Sequence, residues 1–130
     1  MSEQGQIRQF NIFSGEAPRV QKTPYGAVGT MVDDAEIEVV WVAKQDDAID
    51  TEWYSQEELD VLCLARGRLR VEFADEHSPA RTLREGDVLV IPPGTRCRAY
   101  RWPRESTEPA IFIAITPRAG GRDGQAAPPP

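Results

Sequence analysis

The chain has one histidine, two cysteines and only two lysines among its 130 residues, and each shortage closes a class of chemistry. One imidazole cannot build a multi-histidine metal centre or a zinc finger, and Cys63 and Cys97 are too few for a disulfide framework. No apolar run approaches the ~20 residues that cross a bilayer as a helix, so no membrane contact is expected. With 21 acidic against 15 basic side chains the net charge is -6. That balance lacks the cationic surplus that phosphate neutralisation needs, and it predicts no nucleic-acid partner. The opening residues, MSEQGQIRQF, lack the basic-then-apolar pattern of a secretory leader. A cytoplasmic protein with reduced thiols is the expectation. Also missing are a Gly-rich phosphate loop, a Ser-His-Asp arrangement, a CxxC pair and an H-E-x-x-H helix.

What is present is a chain of one domain's length, punctuated by 11 prolines and 10 glycines. Residues 118–130, rich in Gly, Ala and Pro, have little to bury and are expected to be disordered. Residues 1–5 look similarly loose, which leaves 6–117 as the domain. Ile7, Phe10, Ile12 and Phe13 predict a short edge strand, and Pro18, Pro24 and Gly26 mark a connecting stretch. From Gly29 onward, short extended runs recur about every ten residues, the spacing of an all-β sandwich or barrel. Ile37–Val42, Leu59–Ala65, Val88–Ile91, Arg96–Trp102 and Ala110–Thr116 are strand candidates by their β-branched and aromatic content. In Arg68–Phe73, Leu69, Val71 and Phe73 alternate with Arg68, Arg70 and Glu72, the period of a half-buried strand. Ser55–Leu59 is too short to stand as a helix. Thirteen of the 15 cations are arginine, most of them between Arg66 and Arg104, which reads either as the solvent side of strands or as an anion-binding face.

The segment from Gly86 to Arg101, GDVLVIPPGTRCRAYR, resembles the second motif of the cupins, G-x5-P-x-G-x2-H-x3-N. Gly86, Pro92 and Gly94 stand at the required spacing, with Cys97 in the histidine position and Arg101 in the asparagine position. The first motif, G-x5-H-x-H-x3,4-E-x6-G, ends on Gly67 and places its acid at Asp60. A four-residue spacer puts its histidine positions at Trp53 and Ser55, and a three-residue spacer puts them at Tyr54 and Gln56. Over residues 35–117 the chain thus resembles a small single-domain cupin with a degenerate metal motif. The resemblance implies an all-β fold, a single cupin-type β-barrel or double-stranded β-helix of two facing antiparallel sheets, and a homodimer.

A cupin centre gathers three imidazoles and a carboxylate, whereas these positions offer Trp53, Ser55, Asp60 and Cys97. No metal and no other cofactor is expected. His77 lies in the turn DEHSP and reads as a solvated turn residue. Cys97 reads as a buried structural thiol, since a neighbouring carboxylate works against thiolate formation. By alternation Asp60 points inward and Cys63 away, which argues against a disulfide. An inward Arg101 beside Asp60 suggests either an ion pair or a polar contact for a ligand. The leading expectation is a barrel that binds a small organic molecule through Trp53, Ser55, Asp60, Cys97 and Arg101. The alternatives are an isomerase, epimerase or lyase using Asp60 as acid or base or a divergent weak metal site, and an interaction module with a filled barrel.

Overall fold

Leu69 and Val71 have no exposed surface (0%), and Leu62, Leu64, Leu83, Ile91 and Phe112 pack round them in one cluster. They meet because alternation sends every second side chain of each strand to one face. The computed structural model describes residues 5–118. These form the strands β1 (Arg19–Thr23), β2 (Gly26–Asp33), β3 (Ile37–Lys44), β4 (Asp60–Arg66), β5 (Leu69–Phe73), β6 (Arg81–Leu83), β7 (Val88–Ile91), β8 (Cys97–Arg101) and β9 (Ala110–Pro117). A six-stranded sheet of order β1-β2-β3-β9-β4-β7 faces a three-stranded sheet of order β6-β5-β8, and the paired strands are antiparallel. The expected barrel of two facing sheets is therefore present. Full burial of side chains such as Leu69 and Val71 contributes about 1.5–3 kcal/mol each.

The Gly86 and Gly94 of the rim motif adopt φ of +94° and +78°, a region open to glycine at little cost. Those turns deliver β7 and β8 to the two sheets on either side of the Pro92-Pro93 bend.

The N-terminal part departs from expectation. Residues 7–13 form no strand; Ile12–Ser14 is a 3₁₀ turn capped by the Asn11 side chain, which accepts from the amides of Phe13 and Ser14. Phe10, Ile12 and Ala17 lie over the outer face of the large sheet, against Trp41, Ala27, Met31 and Ile111. Burial against an existing sheet, rather than edge pairing, satisfies these apolar residues. The stretch after Pro18, expected to be a connector, holds β1 and β2. All five β1 residues are exposed, so the strand carries no apolar alternation to read, and β2 has Gly26 and Gly29 within it. The expected tail from 118 onward lies, apart from Arg118, outside the described residues, as do residues 1–4 of the N-terminus. No helix among the described residues is long and apolar enough to cross a membrane.

Candidate functional site

One rim of the barrel is polar although the layers beneath it are not. Asp60 opens β4, followed at the inward positions by Leu62 and Leu64, and it stands opposite Ile91 of β7. It is 3% exposed and accepts a hydrogen bond from the Thr116 hydroxyl at 3.2 Å. Thr116 in turn stands opposite Glu38 of β3, and Glu38 opposite Asp33 of β2. A transverse row of polar side chains thus crosses the large sheet. The acids at its outer end are compensated: Arg19 lies 3.2 Å from Asp33, and Arg118 pairs with Asp33 and lies 3.4 Å from Glu38. Asp60 has no cationic partner among the described residues. Burial pushes its carboxyl above the usual range, the Thr116 bond opposes that rise, and Glu38 adds to it.

The small sheet and the loop before β4 complete the rim. Tyr54 pairs with Cys97 across an isolated bridge, which places both side chains on the same face. Gln56 donates its side-chain amide to the Tyr54 hydroxyl, and its backbone carbonyl accepts the Gly94 N–H at 2.8 Å. About half of Tyr54 is exposed (49%), yet desolvation of its hydroxyl pushes its pKa up to about 12, with Asp60 the next cause and the Gln56 bond opposing. Cys97 is 5% exposed, and burial followed by the Asp60 charge pushes its thiol up to about 11. A protonated, buried thiol of this kind is inert as a nucleophile. Both cysteines are free.

The structure therefore brings together Asp60 and Cys97 but not the other residues expected beside them. Trp53 faces away, 37% exposed, with the Arg98 guanidinium 4.3 Å from its ring centroid, and Ser55 is exposed. The three-residue spacer of the first motif is the one realised, so Tyr54 and Gln56 occupy the inward positions. Arg101 is buried, 7% exposed, but stands at the opposite end of β8, opposite Leu69. Four residues of strand separate it from Cys97, about 13 Å. It donates at 2.9 Å to the carbonyls of Gln45 and Arg104, and no Asp60–Arg101 ion pair forms. Glu38 escaped the sequence reading; its signal is an acid at an inward position of the otherwise apolar run from Ile37 to Ala43. The clustered arginines are partly explained by Arg70 and Arg98 on the outer face of the small sheet, held over Trp102 and Trp53, with Arg98 also bonded to Glu72.

No protein-family model matches the sequence, and none of the curated proteins does. Solved structures do match. A cupin-like protein from Thermotoga maritima is 26% identical, covers 74% of this chain and 71% of its own, and superposes with a TM-score of 0.63. An RmlC-like cupin with a double-stranded β-helix fold from Methanocaldococcus jannaschii is 12% identical over 85% of this chain and 94% of that one, with a TM-score of 0.64. Hydroxypropylphosphonic acid epoxidase from S. wedmorenis is 17% identical over 87% of this chain and 60% of its own, with a TM-score of 0.67. Two facing antiparallel sheets with this strand order, joined by the Pro92-Pro93-Gly94 rim turn, define a double-stranded β-helix. The chain has the double-stranded β-helix fold of the cupins.

A cupin-type metal does not fit these residues. The positions that would hold it carry a phenol and a thiol, both held protonated by burial and by Asp60, together with an amide and a single carboxyl. No group of three His, Cys, Asp or Glu suited to a metal ion occurs among the described residues.

Proposed function

We propose that the polar rim binds a small organic molecule, with Asp60 as the principal contact. The observation that carries this reading is a carboxyl 3% exposed, bonded to Thr116 and facing no cation among the described residues. An uncompensated buried acid costs stability, and such a breach of the packing rules is characteristic of sites that a ligand completes. The surroundings define the ligand's chemistry. Asp60 calls for a hydrogen-bond donor or a positive charge, the Tyr54 hydroxyl offers a donor in return, and Leu62, Leu64 and Phe112 beneath set an apolar floor. A compact polyol or amine meets these terms.

A second reading is supported by the raised Asp60 carboxyl, since a general acid or base works best when its pKa approaches the working pH. In it, Asp60 moves a proton on the bound molecule in an isomerisation, epimerisation or elimination. Both readings are tested by a thermal-shift screen of small polyols, amines and hydroxy acids on the wild type and Asp60→Asn. A compound that stabilises the wild type but not the variant supports the site. Equal stabilisation of both proteins removes Asp60 from it.

A further inference from the structure

We propose a second ligand site, adjoining the rim but lined by other residues, in the groove between the free edges of the two sheets, taking a short monocarboxylate with an apolar body. Among the described residues β6 pairs only with β5 and β7 only with β4, so the sheets part between them. The gap is a groove of about 580 Å³. That volume lies within the range of small-molecule sites.

Its lining divides by chemistry. Phe73, Leu89 and Ile91 form an apolar floor, while His77, Ser78 and Arg81 supply the polar wall. Phe73 and Ile91 stand opposite Cys97 and Asp60 in their sheets and point to the same face, so the groove adjoins the rim, yet neither Asp60, Tyr54 nor Cys97 lines it. The nearby acid is already engaged. Asp75 accepts the His77 N–H at 2.9 Å through one oxygen and the Ser78 hydroxyl at 3.5 Å through the other, which fixes the turn and aims its side chains. Arg81 forms no ion pair among the described residues. An exposed guanidinium over an apolar trough matches a carboxylate whose alkyl body displaces water from Phe73, Leu89 and Ile91. An acidic protein repels anions over most of its surface, so retention of one here depends on this local cation.

The test is titration of the full chain with hexanoate, followed by amide NMR shifts, with 1-hexanol and succinate as probes that lack the charge or the apolar body. The expected result is saturable shifts centred on residues 73–81 and 89–95 for hexanoate alone. Arg81→Gln weakens binding about tenfold or more, Arg81→Lys retains most of it, and Asp60→Asn leaves it unchanged. Absence of saturable shifts in the wild type, or affinity unaffected by Arg81→Gln, overturns the proposal. Loss of hexanoate binding in Asp60→Asn overturns it as well, by assigning the carboxylate to the rim.

Discussion

Tyr54 and Cys97 exchange both of their backbone hydrogen bonds, Tyr54 N–H to the Cys97 carbonyl at 2.9 Å and Cys97 N–H to the Tyr54 carbonyl at 2.8 Å. This bridge stitches the loop before β4 to the start of β8 and decides which of the alternating residues 53–56 face the barrel. Tyr54 and Gln56 turn toward Asp60, and Trp53 turns out to cover Arg98. A one-residue slip would exchange the two sets, because the side-chain period of an extended chain is two. The chemistry of the rim therefore depends on a backbone pairing, and its consequences are measurable at the carboxyl and the thiol that the bridge encloses.

Replacing Asp60 by Asn is expected to stabilise the protein at neutral pH. The folded carboxyl titrates above its ordinary value because of burial, so the native state holds its proton longer than the unfolded chain does. Its contribution is fully present below the ordinary carboxyl range and is lost as pH rises through the folded value. Asn keeps an acceptor for Thr116 and removes the charge. A gain of about 1 kcal/mol, roughly 4 °C in Tm, is expected at pH 7 and should vanish near pH 4. Glu72 has the opposite sign. The Tyr100 hydroxyl at 2.5 Å holds it below the usual range, burial opposes that, and Arg98 then adds to the lowering, so its contribution is lost only as pH falls through that lowered value. Thermal unfolding from pH 4 to 8 separates the two; a lower Tm for Asp60→Asn at pH 7 contradicts the argument.

The two thiols should differ in reactivity. Cys97 is 5% exposed and pushed up to about 11, whereas Cys63 is partly exposed on the other face of the large sheet. Since the thiolate is the reactive form, iodoacetamide at pH 8 is expected to modify Cys63 and leave Cys97 untouched until the protein unfolds. Peptide mapping by mass spectrometry reads this directly, and equal modification of both in native protein would contradict the buried position of Cys97.

Apart from β6, the strands from Ile37 onward were legible because their alternation or β-branched content states which face is buried. The rim turn was legible through Gly86, Pro92 and Gly94. What escaped reading had no local signal. β1 is exposed along its whole length, and the three-residue β6 is too short for a period to show. At the site, the inward placement of Asp60 and Cys97 followed from alternation, but the spacer length between Gln56 and Asp60 depends on the long-range bridge from Tyr54 to Cys97. Arg101 shares the inward parity of Cys97 and so was expected beside Asp60; parity gives the face of a strand and not the height along it.

Arg101 is expected to be a structural clamp. Its guanidinium holds the carbonyls of Gln45 and Arg104, and Arg104 reaches the Asp47 carbonyl at 2.9 Å, so two loops close the end of the barrel opposite the rim. Truncation removes the partner of two part-buried carbonyls and opens space where the buried guanidinium lay. Arg101→Ala should destabilise by about 3 kcal/mol in urea unfolding and expose residues 45–52 to limited proteolysis. If the variant is as stable as the wild type, the two carbonyls are served by water and the clamp has no energetic role.

Gly29 and Trp41 provide the sharpest packing test, because they face each other as β2 and β3 partners on the outer side of the large sheet. A Cβ on Gly29 would come within 2.1 Å of the Trp41 ring, closer than van der Waals radii allow. The indole cannot retreat without cost: Trp41 is 3% exposed, and its Nε1 donates to the Glu16 carbonyl at 2.8 Å, which pins the N-terminal segment over the sheet. Gly29→Ala must therefore push the ring off that bond or shift β3. The expected loss is about 2–3 kcal/mol, with a red shift of tryptophan fluorescence and faster amide exchange in residues 10–17. The double variant Gly29→Ala/Trp41→Phe, whose smaller ring also gives up the Nε1 bond, should recover part of the clash but none of the N-terminal protection. A fully additive pair would show that the contact between the two residues is not the source of the effect.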